Sequence, residues 1–158
     1  MFSIREIIDM AIQLEKNAET FYRAAVAKMS TPSLEPVLIC LANEERDHKK
    51  WFESLKRVAQ EAEARGQSVE ISSEALRSLV GGQKFSLDEV DLSKIESVQE
   101  LIELAMEHEK DTIIFYQMLQ SFIDDPETMK ELDEIIAEEE QHIKLLKECE
   151  IEMINGKL

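Results

Sequence analysis

Six residues able to hold cations recur in register along this chain. Glu15, Glu45 and His48 are each matched 94 residues later, by Glu109, Glu139 and His142. Their surroundings repeat with them. EKNAETFY (15–22) agrees with EKDTIIFY (109–116) at Glu-Lys and Phe-Tyr, and NEERDH (43–48) agrees with AEEEQH (137–142) at Glu-Glu and His. Each half therefore carries a lone glutamate and, 30 residues on, a Glu-x-x-His pair. Four carboxylates brought together would repel one another, and burying ionised groups without compensation is costly. Two divalent ions would supply the four balancing charges, and two neutral imidazoles would add nitrogen ligands. Carboxylate oxygen with imidazole nitrogen suits iron or manganese, whereas a structural zinc site usually recruits thiolates.

Whether these side chains can meet depends on the elements that carry them. Glu45 and His48 belong to the series Leu34, Leu38, Leu41, Glu45, His48, Phe52, Leu55 and Ala59. It steps by three or four residues, as the inward stripe of an amphipathic helix does. Glu15 falls in a like series with Ile7, Ala11, Leu14, Ala18, Tyr22 and Ala25, and Glu109 with Leu101, Ala105, Thr112, Tyr116 and Leu119. Glu139 and His142 fall between Leu132, Ile135, Leu146 and Cys149. Acids and imidazoles thus stand where a core-facing helix should carry leucines, and no Lys or Arg occurs in these series to neutralise them.

The punctuation around the stripes predicts four helices. Ser3 with Glu6 opens the first (about 4–29) as a capping box, and Thr31-Pro32 and Gly66 bracket the second (about 33–65). Ser97 with Glu100 opens the third (about 97–123). Asp125-Pro126 opens the fourth (about 126–154), which ends before Asn155-Gly156. Short connections make antiparallel hairpins of the first pair and of the second. Residues 66–96 form a long crossover, in which SSEALRSLV (72–80) reads as a short helix stopped by GGQ (81–83). The expectation is an all-α protein, a single domain over 1–158, with the one-crossover topology of ferritin-like antiparallel four-helix bundles.

Bulk properties narrow the partners. A formal net charge of −16 opposes binding to nucleic acid or to an anionic membrane surface. No run of about 18 apolar residues could span a bilayer. The N-terminus MFSIREIIDM lacks a secretory pattern. Cys40 and Cys149 form no CxxC pair, and a cytoplasmic location is expected.

At the six residues and their duplicated spacing the sequence resembles the rubrerythrin branch of the ferritin-like di-iron carboxylate family, over nearly its whole length. The resemblance implies that Glu15 and Glu109 each chelate one iron. It also implies that Glu45 and Glu139 bridge the pair and that His48 and His142 are terminal ligands. It implies a two-iron cofactor, with manganese or a mixed pair as alternatives, and a homodimer. Rubrerythrins typically carry a rubredoxin domain with two CxxC motifs. None occurs in these 158 residues, so electrons would come from a separate rubredoxin-type donor. The family also often places an extra glutamate one turn beyond the helix-3 ligand, where this chain has Thr112.

The function expected is non-haem di-iron reduction of hydrogen peroxide or dioxygen. Alternatives are a ferritin-like ferroxidase that stores iron, or a metal-binding module without catalysis. Around the ligands, Tyr22 and Tyr116 lie two turns beyond Glu15 and Glu109 and could hydrogen-bond ligand carboxylates, although core residues with satisfied hydroxyls are the simpler reading. Glu19 reads as a surface-edge residue, with an auxiliary ligand as the alternative. Glu44, Glu138 and Glu140 read as solvated neighbours, and His108 as a surface histidine.

Overall fold

A computed structural model describes residues 2–29, 31–67, 70–72, 74 and 90–157. Its frame is four helices: α1 (Ile4–Met29), α2 (Glu35–Ala64), α3 (Val98–Gln120) and α4 (Pro126–Ile154). The expected caps form. Ser3 N–H donates to Glu6 Oε2 at 2.7 Å while Glu6 N–H donates to Ser3 Oγ at 3.2 Å, closing the capping box of α1. Ser97 Oγ accepts from Glu100 N–H at 3.1 Å, and Asp125 Oδ2 accepts from Thr128 N–H at 2.9 Å. Past α2 and α4 the chain turns at Gly66 (φ +78°) and Gly156 (φ +71°), a left-handed conformation that costs glycine little. The third helix stops at Gln120, three residues short of expectation. Three successive i→i+3 bonds, from Ser121, Phe122 and Ile123, tighten its end before Pro126 opens α4.

Two apolar clusters fix how the helices run. One joins Ala18–Ala25 of α1, Leu34 with Leu38–Ala42 at the start of α2, Leu101–Met106 of α3 and Leu146–Cys149 of α4. The other joins Ile7–Leu14 of α1, Phe52 of α2, Phe115–Leu119 of α3 and Leu132–Ile136 of α4. The two hairpins are therefore antiparallel within themselves, whereas α2 and α3 run the same way. The end of α2 and the start of α3 therefore lie at opposite ends of the bundle, ~45 Å apart for a 30-residue helix. The described pieces of the connection lie one at each end. Glu70–Ile71 (β2) pairs antiparallel with Phe2–Ser3 (β1), Phe2 opposite Ile71, beside the second cluster. A 3-10 turn at Leu92–Lys94 lies by the first cluster, against which Val90, Leu92 and Ile95 pack; the carbonyl of Leu92 accepts from Lys28 Nζ. The β1–β2 ladder was not anticipated, because two residues are too few for alternation to register. The helix expected over 72–80 lies outside the described residues apart from Ser72 and Glu74.

Among the described residues no helix is long and apolar enough to cross a membrane.

Candidate metal centre

Between the two apolar clusters the bundle is polar. Glu15 comes from α1, Glu45 and His48 from α2, Glu109 from α3, and Glu139 and His142 from α4; all six are buried. They form two groups in which one ligand atom from every residue lies within 4.8 Å of the others. Glu15, Glu45, His48 and Glu139 make one group; Glu45, Glu109, Glu139 and His142 make the second. Glu45 and Glu139 belong to both and stand between two positions, each flanked by one further glutamate and one histidine.

Both imidazoles face inward through Nδ1. His142 Nδ1 lies 2.8 Å from Glu139 Oε2, 3.0 Å from Glu45 Oε1 and 3.5 Å from Glu109 Oε2. His48 Nδ1 lies 3.1 Å from Glu139 Oε1, 3.7 Å from Glu45 Oε2 and 3.8 Å from Glu15 Oε2. The rings stack with centroids 5.9 Å apart. Yet Glu15 Oε2, Glu45 Oε1, Glu109 Oε2, Glu139 Oε2 and His142 Nδ1 are buried without an aligned hydrogen bond. Each such atom costs ~1–3 kcal/mol when nothing else satisfies it. Atoms this close without an aligned hydrogen bond are placed to share a third partner, and a cation at each position would satisfy all five. The donor set fits a pair of divalent iron or manganese ions.

The ion-free cluster compensates with protons. Burial pushes Glu15 well above the usual carboxylate range, and the Glu45 carboxylate adds to the shift. Burial together with the charges of Glu109 and Glu15 pushes Glu139 up to about 8. Burial, Glu139 and Glu109 raise Glu45 as well. Glu109 goes the other way: burial opposes its charge, but the His142 imidazole beside it brings it down to about 2. Burial likewise opposes charge on His48 and His142, yet the surrounding carboxylates outweigh it and hold both above the ordinary imidazole value.

Supporting groups reach the ligands from the opposite hairpin. The Tyr22 hydroxyl on α1 donates to Glu109 Oε1 on α3, and the Tyr116 hydroxyl on α3 donates to Glu15 Oε1 on α1. Burial raises both phenols well above their ordinary value, so they stay protonated donors. One oxygen of each terminal carboxylate is thereby held, and Oε2 is left for an ion. Both roles foreseen for the tyrosines coincide: they are core residues, and their hydroxyls are satisfied by ligand carboxylates.

Glu44 and Glu138 correct the sequence reading. They are not merely solvated neighbours: Glu44 Oε2 lies 2.6 Å from His142 Nε2, and Glu138 Oε2 lies 2.7 Å from His48 Nε2. Each sits one residue before the inward glutamate, on the flank of its helix, where the facing hairpin's imidazole reaches it. A carboxylate accepting from Nε2–H fixes the tautomer that leaves the Nδ1 lone pair facing inward. Their shared 94-residue register was the signal available in the sequence. Replacing both with alanine is expected to weaken metal binding ~10- to 100-fold while the bundle remains helical. A competition titration against a chelator of known affinity measures this, and unchanged affinity would show the bonds to be dispensable.

His108 is a second correction. It is only 1% exposed, because α3 is packed over a broad arc that also buries Ile102, Met106 and Met118 rather than along one narrow stripe. Its Nε2 lies 3.3 Å from Thr112 Oγ1, and burial lowers its pKa. Glu19 belongs to neither ligand group and pairs with Arg23 at 3.0 Å and Lys49 at 3.4 Å, a surface-edge residue as expected. Glu140 is exposed.

Comparison with known proteins agrees with this architecture. The structure is similar to a protein of Thermotoga maritima assigned as ferritin-like diiron-carboxylate, with a TM-score of 0.71 and 24% identity, covering 96% of this chain and 97% of that one. It is also similar to a hypothetical protein of Pyrococcus furiosus, with a TM-score of 0.70 and 21% identity, covering 99% of this chain and 94% of that one. At these identities the likeness speaks for the fold. No curated protein matches the chain. The family model named Rubrerythrin matches residues 6–150, from the first turn of α1 to the last turns of α4, a span that includes all six inward Glu and His residues, and the chain belongs to that family.

Proposed function

We propose that this protein is a non-haem di-iron oxidoreductase that reduces hydrogen peroxide, or dioxygen, with electrons from a separate donor. The observation that carries the reading is the pair of ligand groups sharing Glu45 and Glu139, because shared carboxylates bring two ions close enough to act on one small molecule. Bound by Glu15, Glu45, His48, Glu109, Glu139 and His142, two ferrous ions would supply two electrons and Lewis acidity, and two electrons with two protons suffice to convert hydrogen peroxide into two waters.

The chain's own residues prepare the place. Tyr22 and Tyr116 hold one oxygen each of Glu109 and Glu15, and Glu44 and Glu138 orient the imidazoles. The apolar clusters above and below exclude bulk water from the middle of the bundle, which strengthens the electrostatic interactions inside it. The electron donor is a rubredoxin-type protein, the working unit a homodimer, and the setting the cytoplasm. Manganese is the alternative occupant that the same donors accept.

Anaerobic titration of the ferrous-loaded protein with hydrogen peroxide tests the reading. One equivalent of peroxide should oxidise both irons of a chain, followed by the rise of ferric absorption. A ferrous-loaded protein inert to peroxide and to oxygen would refute it.

A further inference from the structure

The two halves of the chain agree in their ligands but not beside them. The residues one before and three after Glu15 are Leu14 and Ala18, buried and apolar. At the corresponding places around Glu109, α3 carries His108 and Thr112, each 1% exposed. Packing at these two places does not call for polarity, since the other half of the bundle fills them with hydrocarbon.

The polar pair does not satisfy itself. Thr112 Oγ1 meets His108 Nε2 at 3.3 Å, and His108 Nδ1 is buried without a hydrogen-bond partner. If the threonine hydroxyl donates to Nε2, Nδ1 carries a proton with nothing to receive it. If Nε2–H donates to the hydroxyl instead, Nδ1 is a bare acceptor. Either way one ring nitrogen in the interior lacks a partner, a condition rare enough in folded proteins to need a cause. Position supplies one. Glu109, Thr112 and Tyr116 follow one another at i, i+3 and i+7 on the inward side of α3. The first belongs to a ligand group, and the last donates to Glu15. Thr112 therefore stands between two residues that touch the cluster, with His108 one turn behind it.

We propose that His108 and Thr112 form a polar subsite on the α3 side of the centre that hydrogen-bonds a small exogenous ligand of two or three atoms, the size of peroxide. The α1 side, lined by Leu14 and Ala18, offers such a ligand no hydrogen bond, so the near two-fold site is chemically one-sided. The inference rests on reading the cluster as a dimetal centre.

Azide is the probe, titrated into diferric protein and followed by its charge-transfer absorption. The double variant His108→Leu with Thr112→Ala copies the α1 side onto α3. It should bind the same two irons and melt no lower than the parent, because it removes an unpaired buried nitrogen. Its azide dissociation constant should rise about tenfold, the loss of one hydrogen bond to an ionised ligand. Thr112→Ser should keep the parent affinity, and Thr112→Val, which is isosteric, should raise the constant even if the double variant fails to fold. Unchanged azide affinity in iron-loaded Thr112→Val and in the double variant would overturn the subsite and leave the metal centre standing. A parent protein that takes up no iron would sink both.

Discussion

Replacing Glu139 with alanine is expected to abolish binding of both metal ions, whereas replacing Glu15 with alanine should remove one. Glu139 is in both ligand groups and touches both imidazoles, with Oε1 3.1 Å from His48 Nδ1 and Oε2 2.8 Å from His142 Nδ1. Glu15 is in one group only. The loss of affinity should exceed the ~10- to 100-fold typical of removing a residue that merely supports a ligand. Metal per chain after gel filtration in dilute iron measures it: about two for the parent, one for Glu15→Ala and none for Glu139→Ala. Retention of two ions by Glu139→Ala would mean that the carboxylate is not shared. Glu139→Gln separates charge from shape. With its pKa at about 8, ion-free Glu139 is mostly protonated near neutral pH, and glutamine resembles that form. The ion-free glutamine variant should therefore match the parent only below pH 4.5, gain on it as pH rises toward 8, and hold that lead at pH 9.

Stripping the metal should produce the largest change in stability, and the change should grow with pH. At a free ion concentration ~100 times the dissociation constant, each bound ion adds about 2.7 kcal/mol. For a chain of this size that is a shift in Tm of roughly 5–10 °C per ion. The pH dependence follows from the ion-free shifts. His48 and His142 have folded-state values above the ordinary 6.5, so their contribution is fully present below 6.5 and is lost as pH rises. Glu139, raised from 4.5 to about 8, holds a proton that the unfolded chain has released, so it too costs stability as pH climbs through that window. Glu109 runs the opposite way: lowered to about 2, it contributes above 4.5 and is lost only in acid. The ion-free protein should thus melt progressively lower between pH 6 and pH 9. Metal binding expels the protons and is favoured as pH rises. Calorimetry with and without chelator at pH 6, 7.5 and 9 reads the gap; a gap that narrowed toward alkaline pH would contradict the account.

The helices were legible because their causes are local. The capping box at Ser3, the Ser97 cap (where Glu100 reaches back to Glu96 N–H rather than to Ser97), Pro126 behind Asp125 and the glycines after α2 and α4 are short-range chemistry. The six inward Glu and His residues were legible for another reason: each breaks a hydrophobic stripe in the middle of a helix, and a repeat makes the breaks coincide. What the stripes hide is the width of the buried arc. His108 lies to the side of the Glu109 row, and only the packing of neighbouring helices decides that α3 is covered there as well. Glu44 and Glu138 escaped for the complementary reason. Each is half in solvent, and its partner is an imidazole 98 or 90 residues away in sequence, a distance no local pattern reports. The β1–β2 ladder joins residues from either side of α1 and α2, and its two-residue strands carry no period of their own.

The bonds that steady the ligands all cross from one hairpin to the other. Tyr22 serves Glu109 and Tyr116 serves Glu15; Glu44 serves His142 and Glu138 serves His48. A lone hairpin holds three of the six ligands and none of the props that belong to them. Two copies of one hairpin, however, related by a two-fold axis, would supply every prop and every ligand by exchange. The fold is thus compatible with descent from a half-length chain that had to pair with itself before gene duplication joined the copies. The crossover would then be a later bridge between halves that already fitted.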